Sequence, residues 1–223
     1  MAREALAVRL DFFALCMFLG IIQGLFLAFF FLSGSRRQVL SNRFLGAVLL
    51  SNSLIVLEIF LCYTHYMFQV LYLIDFSECL NFTLGPLFYL YIRTKIRSVG
   101  MIYIHFLPAV FWLLYSLGWQ IQSLDFKYNA YLNAYHPQLD LIPIREVLPS
   151  DILGIRKYII HFTLGSLFVY VSLSASEVFW AYQKAQLKFW SRASPDLVWL
   201  RGVVLQLWLM MITVLEVVGD FQN

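Results

Sequence analysis

The stretch YLIDFSECLNFTLGPLFYLYIR, residues 72–93, sets Asp75, Glu78 and Asn81 three residues apart in a run otherwise built largely from Leu, Phe, Tyr and Ile. A step of three keeps such side chains along one drifting face of a helix. Carboxylates in apolar surroundings can hold a proton, pair with a buried cation, or bind a ligand through a cationic or hydrogen-bonding group. Comparable residues stand in neighbouring apolar segments: Gln23, Glu58 and Glu216. Counting about 1.5 Å per residue from each segment's flanking arginine places Glu58 (from Arg43) and Glu78 (from Arg93) roughly 22 Å deep. By the same rise Gln23 (from Arg36) is roughly 20 Å deep and Asp75 lies about 27 Å along its segment. Glu216 is separated from Arg201 as Glu58 is from Arg43, though the depth of Arg201 itself is not fixed by the sequence. A polar layer in one half of several helices is therefore expected, with Glu58, Asp75, Glu78, Asn81, His161 and Glu216 as candidate ligand-binding residues.

An ionised side chain in hydrocarbon costs about 2.5–3.5 kcal/mol on insertion scales, so these groups must face the protein interior and find partners. Arg156, Lys157, His161 and His65 are the candidate cations. Two carboxylates close together either share one of them, His161 or Lys157, or keep a proton on one member. The plainer alternative is that Asp75 caps or floats at an interface and that Glu58 and Glu78 are hydrogen-bonded packing groups. No nucleophile–base pair, zinc-protease pattern or phosphate loop is present. His105 and His161 have no histidine or carboxylate partner four residues on. No catalytic residue, metal ligand or cofactor is expected, and an enzyme is not the reading. The cysteines Cys16, Cys62 and Cys79 are odd in number and sit in apolar context, which predicts packed thiols, with a Cys62–Cys79 bridge left open.

The elements that must carry these residues follow from composition. The 223 residues are 61% hydrophobic and 13% charged, with a mean hydropathy of +0.74 and 21 Phe. A soluble domain carries about 25% charged residues, so the expected solvent is lipid. A net charge of +3 is too small to argue for nucleic acid. Six segments approach the roughly 20 apolar residues a bilayer requires: 12–32, 44–63, 71–92, 101–121, 158–182 and 197–218. The fold class expected is an all-α, polytopic bundle of six transmembrane helices forming one domain over 1–223. The first segment is too long for a signal peptide, lacks a small-residue cleavage site and is followed directly by Arg36-Arg37.

Ten of the 16 Lys and Arg residues lie in or beside the alternate connections near 33–43, 93–98 and 183–201. Short basic loops face the cytoplasm, which puts the N-terminus and the 122–157 connection outside. Six spans would then leave residue 223 outside as well, so a seventh helix is expected beyond it. Pro137, Pro143 and Pro149 make a long regular helix in 122–157 improbable, and its Tyr content suits a membrane interface. Gly20 and Gly24 make a small-residue face for close helix approach or a homodimer. Gly85-Pro86 predicts a kink. Ser172, Ser174, Ser176 and Glu177 read as a small polar packing face with Glu177 near the interface.

The strings LGIIQGLFLAFFFL, SNRFLGAVLL after a basic loop, LIDFSECLNFTLGPLFYLYIR and IHFLPAVFWLLY resemble the membrane part of bacterial membrane-bound AraC/XylS-type transcriptional regulators. The resemblance covers nearly the whole chain and is strongest over 19–112, with GPLFYLYIR and HFLPAV the most distinctive pair. Gly85, Pro86, Tyr89, Tyr91, His105 and Pro108 carry the pattern. It implies several N-terminal spans, typically seven, ahead of a cytoplasmic helix-turn-helix domain, which these 223 residues do not include. DNA would be a partner only through that domain. The implied function is a sensory input module for an external or membrane-borne small ligand, in an inner membrane. The alternative is a six-helix transporter or small membrane enzyme, although only one segment carries Gly-Pro and no paired broken helix marks a repeat.

Overall fold

The computed structural model describes residues 6–144 and 147–220, and of residues 215 and 217–220 only the backbone. The described residues form seven α-helices and no strand: α1 (Phe12–Leu32), α2 (Leu40–Tyr63), α3 (Glu78–Ile96), α4 (Leu107–Gln120), α5 (Leu124–Tyr135), α6 (Ile159–Lys184) and α7 (Pro195–Asp220). Five helical stretches are long and apolar enough to cross a membrane: Phe12–Leu32, Leu40–Tyr63, Ile102–Gln120, Arg156–Lys184 and Pro195–Val214. Each falls on an expected segment.

The third expected segment, 71–92, is the exception. It is preceded by a short 3-10 turn, Tyr66–Gln69, and opens on another, Leu71–Leu73, and the α-helix begins only at Glu78 and runs on to Ile96. The helix carries Glu78, Asn81, Thr83, Arg93 and Lys95, and it packs against α2, α4 and α6. Protein rather than lipid covers it, so the apolarity that a lipid-facing helix requires is not needed there. Phe44 and Val48 of α2, Leu87 to Ile92 of α3, Val178 and Tyr182 of α6, and Leu200 and Val204 of α7 make the main core.

The outer helices are the reverse of a soluble protein. On α1 only Ala14, Ile21 and Ala28 are buried, a stripe spaced by seven that meets α2, while Phe12, Phe13, Phe18, Phe26 and Phe29 are exposed. An apolar belt of this kind is suited to lipid. Gly24 allows the close approach: a Cβ there would stand 2.1 Å from Ser53 Oγ on α2, whereas Gly20 has open space around it.

The six long helices other than α5 alternate in direction, as the contacts between their ends show: Arg9 N donates to Thr64 O, the His65 and His136 rings meet at 5.0 Å, and Arg97 pairs with Glu177 at the opposite end. One end of the bundle carries the basic connections after α1, α3 and α6. The other carries the N-terminal residues, the 64–77 turns and the 121–158 connection. That long connection begins with a helix. Ser123 Oγ accepts the Phe126 amide at the start of α5, and the helix ends at Tyr135, before Pro137. Two amide side chains then strap the extended remainder down. Asn129 exchanges hydrogen bonds with both backbone groups of Ile142, at 2.7 and 3.0 Å, and Gln122 does the same with Leu148, at 2.8 and 3.2 Å. Tyr128, Tyr131 and Leu132 bury against Leu61, Cys62 and Met67 to close this end.

Candidate functional site

Glu58 is buried in the last turns of α2 and has a structural task that a sequence does not display. Its carboxylate accepts the backbone amides of Asp75, at 2.6 Å, and Ser77, at 2.9 Å. Ser77 makes no side-chain cap to α3, and Glu58, from a neighbouring helix, fixes the backbone that leads into its first turn. Asp75 takes a left-handed conformation, φ 59°. Aspartate tolerates it better than most residues, and it folds the 71–77 turns over the Glu58 carboxylate.

Arg156, where the long connection enters α6, holds the other two acids. Its Nη2 donates to Asp75 Oδ2 at 3.0 Å and to Glu78 Oε1 at 2.7 Å. The guanidinium lies 4.1 Å over the ring of Trp119, and Nη1 is buried without a hydrogen-bond acceptor among the described residues. Glu78 is further fixed by Trp112 Nε1, which donates to Oε2 at 3.1 Å. Asp151 positions Arg156: its carboxylate accepts the Ile155 and Arg156 amides and the Tyr115 hydroxyl. The Tyr115 hydrogen bond, helped by the two amides and the nearby Arg156 charge, holds the Asp151 carboxyl below the usual range despite partial desolvation. Lys127 of α5 is buried close by, donating to Gln120 Oε1 at 2.9 Å. Burial pulls its ammonium pKa down, opposed by the charge of Asp75.

Glu58, Asp75, Glu78 and Asn81 thus line a single cavity of about 490 Å³, whose lining also includes Ile159 and Thr163 of α6 and Tyr135 of α5. Four of the six expected residues come together, and the cation among them is Arg156 rather than His161 or Lys157. His161 lies on an exposed side of α6 with its ring edge toward Tyr158. The α6 residues that line the cavity, Ile159, Ile160, Thr163 and Leu164, form one face of the helix, and His161 falls outside it. Lys157 is exposed and stacks on Tyr158. Glu216 is exposed on α7, two residues from the cavity-lining Val214 and so turned away from it. Gln23 is also exposed, beside a smaller cavity between α1 and α2. Cys16, Cys62 and Cys79 are free thiols, so no Cys62–Cys79 bridge forms.

A second buried charge cluster escaped the sequence reading. Glu177, expected at an interface, is buried at the basic end of α6. It pairs with Arg97 at 2.5 Å and lies 3.8 Å from Arg93, whose guanidinium donates to the Tyr89 hydroxyl. Arg93 lies in the last turn of α3 and Arg97 is the residue just past its end. Their i,i+4 spacing, set against a lone acid in the serine face of α6, was the available signal.

The chemistry of the cavity follows from its charges. Both oxygens of Glu58 are committed to backbone amides, and among the described residues no His, Cys, Asp and Glu side chains group as a metal set. Asp75 and Glu78 share one guanidinium, which leaves acceptor capacity facing the cavity. The site fits a cationic or hydrogen-bond-donating guest. No family model matches the sequence, and comparison with curated proteins and with solved structures returns no match.

Proposed function

We propose that the chain is the membrane-embedded input domain of a regulator of the membrane-bound AraC/XylS type in a bacterial inner membrane. In this reading α3 is a sixth crossing sheltered by its neighbours, and the N-terminus and the 122–157 connection face outward. A seventh span and a cytoplasmic helix-turn-helix domain follow residue 223. The observation that supports it most is the Arg156 clasp. One guanidinium ties the end of the outward connection, and with it the head of α6, to the two acids at the head of α3, beside a cavity large enough for a small guest. An amine or similar donor would compete with Arg156 for Asp75 and Glu78 and loosen α6 from α3. It would shift the equilibrium only by as much as it binds the loosened arrangement better. At the basic end Glu177 of α6 again meets Arg93 of α3 and Arg97 just past it, which gives a change at the cavity a route toward the cytoplasm.

The test is a thermal-shift screen of primary amines and polyamines on the full chain in lipid nanodiscs, with Glu78→Gln as comparison. A shift in the wild type that the variant loses is expected; no shift, or an equal shift in the variant, overturns the ligand class. The regulator reading is tested by the coding DNA past codon 223. A stop codon there in an intact gene, with reporter fusions placing the end outside, refutes it.

A further inference from the structure

At the basic end, between α3, α6 and α7, lies a second cavity of about 490 Å³. Its charged lining is Lys95 of α3, Lys184 of α6 and Asp196 at the start of α7, and its flanks include Trp180 and Trp199. Both lysines are exposed, and neither forms an ion pair among the described residues. Each tryptophan is held in place. The Lys184 ammonium lies 5.0 Å from the Trp180 ring centre and the Arg97 guanidinium 5.2 Å from it. Trp199 Nε1 donates to the buried Tyr91 hydroxyl at 3.2 Å. Amphipathic indoles of this kind mark the headgroup level of a membrane, and basic pockets between helices at that level take anionic headgroups.

We infer that this cavity binds the phosphate-bearing headgroup of an anionic membrane lipid. Lys95 and Lys184 approach the phosphate from two helices, the tryptophans flank the glycerol region, and the acyl chains run along the exposed apolar sides of α6 and α7. Two lysines against one carboxylate leave the cavity net positive. Its volume is several times that of a bare phosphate ion, and the apolar wall made by Leu197 and Leu200 suits a lipid better than an ion. The inference rests on the membrane reading of the chain, and it is independent of the ligand class assigned to the other cavity.

The test uses the full chain in nanodiscs, with incorporation itself checked first. Failure to incorporate would refute the membrane reading, and the lipid site with it. Quenching of tryptophan fluorescence by brominated phosphatidylglycerol is compared with quenching by brominated phosphatidylcholine. The wild type is expected to prefer the anionic lipid, and Lys95→Gln and Lys184→Gln should each weaken that preference about fivefold. Lys95→Arg with Lys184→Arg should keep it, and Asp196→Asn should raise it. Equal quenching by both lipids, or a preference untouched in the double Gln variant, overturns the site. Inorganic phosphate at millimolar concentration displacing the anionic preference would assign the site to free phosphate and refute the lipid.

Discussion

Glu58, the most buried of the acids around the cavity, shows how a chemical group can be legible for its setting while its task is not. A glutamine would be the mild replacement if the side chain only packed, because it keeps size and one acceptor. Here both oxygens accept backbone amides of the α3 entry. In Glu58→Gln the amide nitrogen must face an N–H it cannot satisfy, which costs about 1–3 kcal/mol. A lowered melting temperature is therefore expected for Glu58→Gln, whereas Glu58→Asp, too short to reach, should do no better. Arg156 makes the complementary case. Arg156→Met leaves Asp75 and Glu78 without a cation and is expected to cost on the order of 3 kcal/mol. Adding Glu78→Gln should recover part of that loss, and a double-mutant cycle on denaturant midpoints measures the coupling. An additive pair would mean that the clasp contributes nothing. Acid should open the clasp through Asp151, whose carboxyl is held low in the folded chain. Such a group contributes fully above the ordinary carboxylate range near 4 and loses its contribution as pH falls through its lower folded value. The melting-temperature gap between wild type and Asp151→Asn should therefore shrink from pH 6 toward pH 3.

At the scale of elements, α3 is held by close contact as well as by charge. A Cβ on Gly85 would come 3.1 Å from two side-chain carbons of Tyr170 on α6, so the two helices meet at this glycine. Gly85→Val adds three carbons where there is no room, and overpacking of this kind costs typically about 1–3 kcal/mol. A melting temperature unchanged in Gly85→Val would show that α6 can simply step away. The long apolar helices were legible because hydropathy is a local property: α1 starts and stops at the residues its apolar run marks, 12 and 32. The start of α3 was not legible, because the group that fixes the turns leading into it, Glu58, is 20 residues upstream in sequence. α5 was passed over in favour of the prolines behind it, although Ser123 before the helix and Asp125 in its first turn were start signals open to view. The acid cluster was expected from depth counting, yet its cation could not be chosen among four until α6 fixed which face it turned inward. Glu177 was missed because its partners lie about 80 positions away.

For the whole molecule, orientation in the membrane is read by a simple measurement. Ser35 and Asn133 are both exposed, in connections at opposite ends of the bundle. In intact cells, a membrane-impermeant thiol reagent is expected to label Asn133→Cys and spare Ser35→Cys, each in a background with Cys16 replaced. Labelling at Ser35→Cys would reverse the topology. The close meeting of Gly85 with Tyr170 then acquires a mechanical sense. It lies between the Arg156 clasp at Glu78, about 10 Å away along α3, and the Glu177 pair at Arg93, about 12 Å away. A rod pinned near its middle is a seesaw with nearly equal arms, so an opening at one end emerges as a closing of similar size at the other. Spin labels on α3 and α6, one pair at each end, should change distance in opposite directions when Arg156 is replaced, and with Gly85→Val the two ends should move independently.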